Sequence, residues 1–238
     1  RVRLHKECSI NQQGWFPWVF KQCELTEGCK ALELGCGNGA LWSDNASLIP
    51  AHSHITLTDI SEGLLEETRL KLTKELEQVS HDKSFTLDFI PCDCQALSFE
   101  TGQFDLVIAN HLLFYIEDRE RVYKEILRVL KDGGRFIAST YGPKHMEEIT
   151  SLVQEFHPSI TLADKELYEI FGLQNGADEL KQYFNKVETR YYDDGLLVSN
   201  PQLLLEYILS CHGNQNEILL PKYQEFKDML TRKLSKRP

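Results

Sequence analysis

The chain is 238 residues long, with 42% hydrophobic and 26% charged residues, a globular balance that excludes a disordered or fibrous chain. Its formal net charge of −10 argues against DNA or RNA as the main partner, because that binding needs Lys and Arg to displace counterions from phosphates. The length suits one α/β domain, or one core with a small attached lid.

Short β-branched runs alternate with longer amphipathic segments, the pattern of a parallel sheet covered by helices. Residues 1–21 precede the first strand. Within them Trp15, Phe16, Trp18 and Phe20 gather four aromatics in six positions, apolar surface that has to be covered, and the stretch reads as a helical lid or as a helix docked permanently on the core. Lys30–Leu34 is the first strand, leading through a glycine-rich turn into a helix from about Ala40 to Ile49. His54–Asp59 is the second strand. Ser61 caps a helix reaching Val79, with Leu64, Leu65, Leu72, Leu76 and Val79 on one face. Phe85–Ile90 is the third strand, and Phe104–Asn110 is a fourth, apolar enough for burial on both faces.

Arg119–Leu130 reads as a helix with Val122, Ile126, Val129 and Leu130 inward, stopped by Gly133-Gly134. Arg135–Thr140 is the fifth strand. Helices follow near Met146–Phe156 and Asp178–Phe184. Val187–Tyr192 and Leu196–Val198 read as two last strands joined by Asp193-Asp194-Gly195. Pro201–Cys211 and Pro221–Leu234 close the chain as helices that start on proline. The expectation is a single α/β domain over 1–238. Its core, residues 22–200, is a Rossmann-like, seven-stranded, mostly parallel sheet with helices on both faces. Residues 1–21 are the lid, and residues 201–238 form C-terminal helices.

Seven cysteines are odd in number and scattered, with no C-x-x-C pair and no H-x3-H histidines, so neither a zinc site nor a disulfide framework is expected. Apolar runs such as Leu106–Ala109 fall far short of the ~20 residues that span a bilayer. The first residues show no charged-then-apolar leader. A cytoplasmic protein without metal or membrane contact is the expectation, and nothing in the sequence calls for an obligate protein partner.

The chemistry centres on Gly35-Cys36-Gly37-Asn38-Gly39-Ala40, where a strand turns into a helix. Without Cβ atoms the backbone bends sharply and a ligand can lie against it. The spacing Gly35-x-Gly37-x-x-Ala40 also fits the dinucleotide fingerprint of NAD enzymes, and a ligand-free tight turn satisfies it too. Asp59 ends the second strand, 20 residues after Gly39, where a carboxylate takes both hydroxyls of an adenosyl ribose; a cap or turn Asp also suits the position. Asp93 follows the third strand at the same edge of the sheet, placed to accept from the adenine amino group or to be an ordinary loop residue. Open α/β sheets bind ligands at this carboxyl edge.

Glu33-Leu-Gly35-Cys-Gly37-Asn-Gly39, Asp59, Asp93 with Leu97-Ser-Phe99, Phe104–His111 and Glu125–Phe136 together resemble the successive motifs of class I S-adenosylmethionine-dependent methyltransferases. The nearest branch is the small-molecule enzymes called methyltransferase type 11, akin to those of quinone biosynthesis. The resemblance implies that Glu33, Gly35, Cys36 and Gly37 face the methionine part of S-adenosylmethionine, and that Asp59 and Ile60 face the ribose. It further implies that Asp93 and the Cys94 backbone face the adenine, with Asn110 near the methionine amino group. Asn110-His111-Leu112-Leu113 stands where many enzymes acting on nucleic acids and protein amides carry Asn-Pro-Pro-Tyr, which counts against base amines as substrates.

The sulfonium methyl is already activated, so the protein has mainly to hold a small-molecule nucleophile in line behind it. No catalytic residue is assigned. Trp15, His111, Tyr115 and Tyr141 are candidate substrate residues. His111 suits a general base or a histidine hydrogen-bonded in the following helix, and the tyrosines suit packing as well. Cys92 and Cys94 suit small buried apolar residues better than a thiol-dependent chemistry. Two other functions fit the glycines: an NAD-dependent oxidoreductase, which leaves Asp93 without a role, and a non-catalytic adenosyl-binding module.

Overall fold

A computed structural model describes residues 2–79, 84–163 and 165–235. In chain order its elements are α1 (Val2–Cys8), α2 (Trp15–Cys23), β1 (Lys30–Leu34), α3 (Ala40–Ser43), β2 (His54–Asp59), α4 (Glu62–Val79), β3 (Thr86–Pro91), β4 (Phe104–Asn110), α5 (Arg119–Val129), β5 (Leu130–Ser139), α6 (Glu147–Phe156), α7 (Leu167–Ile170), α8 (Gly176–Leu180), α9 (Pro201–Leu209), α10 (Gln215–Leu219) and α11 (Tyr223–Leu234). The chain divides into two compact units. One comprises residues 15–140 and 171–188, the other residues 1–14, 141–170 and 189–238.

The first unit holds a five-stranded sheet in the order β3-β2-β1-β4-β5. Every pair is parallel, the Rossmann-like arrangement in which the chain reverses direction beside β1. Parallel strands covered on both faces are largely apolar. β1 obeys this with Ala31, Leu32 and Leu34 fully buried, and β4 with Leu106, Val107, Ile108 and Ala109.

α4 begins where Ser61 Oγ accepts the Leu64 N–H at 3.3 Å. Its inner face is Leu65, Thr68, Leu72 and Leu76, all buried, while Leu64 is 36% exposed. The inner row thus runs i, i+3, i+7, i+11 from Leu65, and Thr68 takes the place expected of Leu64. The side chain of Val79, expected on that face, lies outside the described residues.

Two helix expectations need correction. The helix from Ala40 to Ile49 is two short pieces, α3 and a 3-10 turn over Ala46–Leu48. Asn45 breaks it, its amide donating to the Leu41 carbonyl at 2.8 Å. The Gly133-Gly134 pair does not stop α5, which ends at Val129 as Leu130 turns extended. Gly133, at φ +75°, lies inside β5 where its pairing with β4 shifts between Phe104 and Leu106.

Among the described residues the sheet has five strands, not seven. The expected hairpin over 187–198 is absent because its turn is held elsewhere. The Asp194 carboxylate accepts from the Ser9 hydroxyl at 2.7 Å and the Asn11 N–H at 3.0 Å. Leu196 forms a lone antiparallel bridge with Ser9. These contacts lie in the second unit, whose core gathers Leu4, Ile149, Val153, Leu205, Ile208, Phe226 and Leu230. The N-terminal stretch expected as one lid is divided: residues up to Gly14 belong to the second unit, and Trp15 onward to the first. Among the described residues, no helix is long and apolar enough to cross a membrane.

Candidate ligand site at the sheet edge

Strand register builds the site. Leu34 pairs with Thr58, Asp59 with Pro91, and Asn110 with Ser139. Continuing the ladders of β1 by one or two residues sets Asp59, Gly35, Asn110 and Ser139 in one row along the carboxyl edge.

The glycine turn is held from three sides. The Cys36 N–H donates to the Thr58 carbonyl at 2.8 Å, the Thr68 hydroxyl to the Gly37 carbonyl at 2.6 Å, and Lys71 Nζ to the Asn38 carbonyl at 3.2 Å. Gly35, Gly37 and Gly39 all have positive φ, but for different neighbours. A Cβ on Gly35 would stand 2.9 Å from Leu112, and one on Gly39 2.7 Å from Leu72, whereas one on Gly37 would meet nothing within 4 Å. Gly35 and Gly39 are glycines for close packing. Gly37, at φ +53°, has open space where a Cβ would stand. Its N–H points to Asp59 Oδ2 at 3.2 Å, and Asp59 Oδ1 accepts the Ser61 N–H at 3.0 Å. The Asp59 carboxylate is therefore fixed beside the open turn, while the Ile60 side chain is 77% exposed.

Glu33 is 2% exposed, and its Oε2 accepts from Trp42 Nε1 at 2.6 Å. Burial pushes its carboxyl up to about 8, against the Trp42 hydrogen bond, with Asp59 adding to the rise. A carboxyl whose folded pKa lies above its unfolded value contributes stability at low pH that is lost as pH rises through the folded pKa. Wild-type stability should therefore fall between about pH 4.5 and 8 by on the order of a few kcal/mol from this group. Glu33→Gln should flatten that slope in urea titrations across the range; an unchanged slope would show that Glu33 is ionised in the fold.

Asp93 is exposed, its Oδ1 accepting the Gln95 N–H at 2.9 Å. The loop behind it is clamped by α5. Glu125 accepts the Leu97 N–H at 2.8 Å, and Arg128 donates to the carbonyls of Leu97 and Phe99 at 2.9 and 2.6 Å. Burial pushes the Cys94 thiol up to about 11 and the Cys36 thiol higher still, so both are held as inert thiols.

Past β4, His111 takes φ +52°, an uncommon conformation for a residue with a side chain. Its ring lies 5.0 Å from that of Trp15, which stacks on Trp18 at 5.6 Å, and 6.1 Å from Phe114, which Tyr115 meets at 4.7 Å. Trp15, His111 and Tyr115 thus join one aromatic run beside Asn110. Tyr141 belongs to the other unit, its ring 4.8 Å from His145. Sequence reasoning passed over Trp42, Thr68 and Ser139, and gave Glu125 and Arg128 no role beyond their place in the Glu125–Phe136 stretch of the resemblance. Among the described residues no cluster of three His, Cys, Asp or Glu is placed to hold a metal.

Residues 32–138 match the family model described as a methyltransferase domain. The chain is 32% identical over 123 residues to a demethylmenaquinone methyltransferase of Lactococcus lactis, covering 52% of this chain and 46% of that protein. It is 31% identical over 119 residues to a sterol 4-C-methyltransferase of Caenorhabditis elegans, covering 50% and 33%. A longer match, 26% over 201 residues, reaches the ubiquinone/menaquinone biosynthesis C-methyltransferase UbiE of Shewanella sediminis, covering 77% of each. The chain thus spans less than half the length of the first two of these relatives.

Proposed function

From the match of residues 32–138 to a methyltransferase domain model we propose that the protein is a class I, S-adenosylmethionine-dependent enzyme that methylates a small molecule. The observation that carries the reading is the row of polar groups on adjacent strand ends, with Gly35 in register between Asp59 and Asn110 and the Gly37 N–H on the Asp59 carboxylate. These residues fit the cofactor. Asp59 presents a fixed carboxylate for the ribose diol, Asp93 an acceptor for the adenine amino group, and Gly35–Gly37 a backbone low enough for the methionine chain. Asn110 stands at the methionine end. S-adenosylmethionine supplies a methyl group already activated on a sulfonium. The chain's own task is then to position the acceptor and exclude water.

We assign the acceptor side to Trp15, His111 and Tyr115. In this reading α2 is the part of the N-terminal segment that acts as a lid, with Trp15 closing against His111. The named relatives act on quinone precursors and sterols, which supports a small-molecule acceptor. Methyl-labelled S-adenosylmethionine incubated with fractionated cell metabolites tests the activity: label should move to one compound, and its failure to move to any would leave a binding module.

Asp93→Ala should weaken S-adenosylhomocysteine about tenfold, the loss of one hydrogen bond of roughly 1.4 kcal/mol, yet barely affect an analogue lacking the adenine amino group. Equal losses for both ligands in calorimetry would remove Asp93 from adenine recognition.

A further inference from the structure

One side-chain hydrogen bond closes the glycine turn at its base. Glu33 stands two residues before Gly35, and Trp42 three residues after Gly39. Trp42 Nε1 donates to Glu33 Oε2 at 2.6 Å, and the Trp42 backbone N–H donates to the Gly39 carbonyl at 3.1 Å. Both side chains are inside, Glu33 2% exposed and Trp42 fully buried. The indole also meets the ring of Phe20 edge-on at 6.1 Å, and Phe20 is buried on α2 with Val19 and Cys23. At the start of the same helix, Trp15 stands 5.0 Å from the His111 ring. Contacts within residues 15–140 thus lead from the base of the glycine turn through α3 and α2 to the aromatic run after β4.

We propose that Glu33 is a positioning residue and not a ligand of the cofactor: it holds Trp42, and through Trp42 and Phe20 it seats α2, so that one buried hydrogen bond sets both the glycine turn and Trp15 on the acceptor side. The inference rests on the methyltransferase reading above and deepens it. For Glu33 it replaces the role that the resemblance implies. A carboxyl this buried, with Oε2 committed to the indole, leaves little for a ligand to meet. Among the described residues the titratable groups that act with it are Asp59 on β2, Cys23 on α2 and Cys36 in the turn. All three are acids, so none offsets a charge on Glu33. Burial pushes its carboxyl up to about 8, and a carboxyl that keeps its proton at neutral pH makes no ion pair with the cofactor's ammonium. It still accepts from an indole, which can only donate.

The first test needs no ligand. The chain has three tryptophans, Trp15, Trp18 and Trp42, so 5-fluorotryptophan labelling gives 19F signals that Trp→Phe variants assign. The Trp42 signal should titrate with a midpoint of about 8 in the wild type and stay flat in Glu33→Gln, which keeps an oxygen for the indole. Glu33→Ala should move the Trp15 signal as well as that of Trp42; if Glu33→Ala does not fold, Trp42→Phe should move the Trp15 signal alone. A Trp15 signal unmoved in both variants, or a flat Trp42 signal in the wild type, overturns the proposal.

The second test is calorimetry with S-adenosylhomocysteine and with 5′-methylthioadenosine, which keeps the adenosyl group and lacks the amino-acid end. Glu33→Gln should bind both within about threefold of wild type. Glu33→Ala should weaken both alike, by about tenfold, and adding Trp42→Phe should cost little more, because the two changes break one contact. A loss in Glu33→Gln confined to S-adenosylhomocysteine would make Glu33 a ligand of the amino-acid end, and unchanged affinity in Glu33→Ala would detach the pair from the turn; either overturns the proposal. A wild-type protein that binds neither ligand would bring down the methyltransferase reading, while the 19F signals would still decide whether Glu33 holds Trp42 and α2.

Discussion

Trp42→Ala should bring the protein close to unfolding. The indole is fully buried and meets Phe20 edge-on at 6.1 Å. Truncating a core Trp costs about 3–5 kcal/mol in lost burial and cavity. The variant also strips the buried Glu33 carboxyl of its Nε1 donor, adding about 1–3 kcal/mol for the unpaired group. Against a total of about 5–15 kcal/mol for a whole protein, the melting midpoint by circular dichroism should fall by more than about 10 °C. Trp42→Phe separates the two terms, since it keeps most of the packing and loses only the donor. A Trp42→Ala midpoint within a few degrees of wild type would mean that the Glu33–Trp42 pair does not hold the turn.

Asp59→Ala should cost binding rather than stability. The carboxylate takes the N–H groups of Gly37 and Ser61 from a half-buried position. In the proposed complex it accepts both ribose hydroxyls. Charged hydrogen bonds are worth about 1.5–3 kcal/mol each, so S-adenosylhomocysteine affinity should fall roughly tenfold to several hundredfold. Its loss from the Gly37 N–H also loosens the turn, which makes the effect larger than that of Asp93→Ala. An unchanged dissociation constant would remove Asp59 from the cofactor site.

The sheet was legible wherever local pattern decides structure. β1, β2 and β4 were legible from their mainly apolar and β-branched stretches, since strands buried on both faces are largely apolar, with Glu33, Thr56 and Thr58 as the buried polar exceptions. The glycine turn was legible for a similar reason, since positive φ at Gly35, Gly37 and Gly39 is what glycine alone adopts without strain. Long-range contacts were not legible. Val187–Tyr192 alternates like a strand, but the turn that would return it is taken by Ser9 and Asn11, more than 180 residues away in the chain. The burial of Thr68 in place of Leu64 likewise follows from where α4 meets the glycine turn, which composition does not record. At the sheet edge the candidate residues were named from the sequence, while the side chains that hold them, Trp42 for Glu33 and Ser139 for Asn110, emerged only with the fold.

The row of strand-end groups is the centre of the account, and the glycine spacing alone leaves a nicotinamide cofactor as its rival. Side-by-side calorimetric titration of the wild-type protein with S-adenosylhomocysteine and NADH decides between them. The account predicts saturable one-site heat with S-adenosylhomocysteine and none with NADH; saturable NADH binding without S-adenosylhomocysteine binding would contradict it.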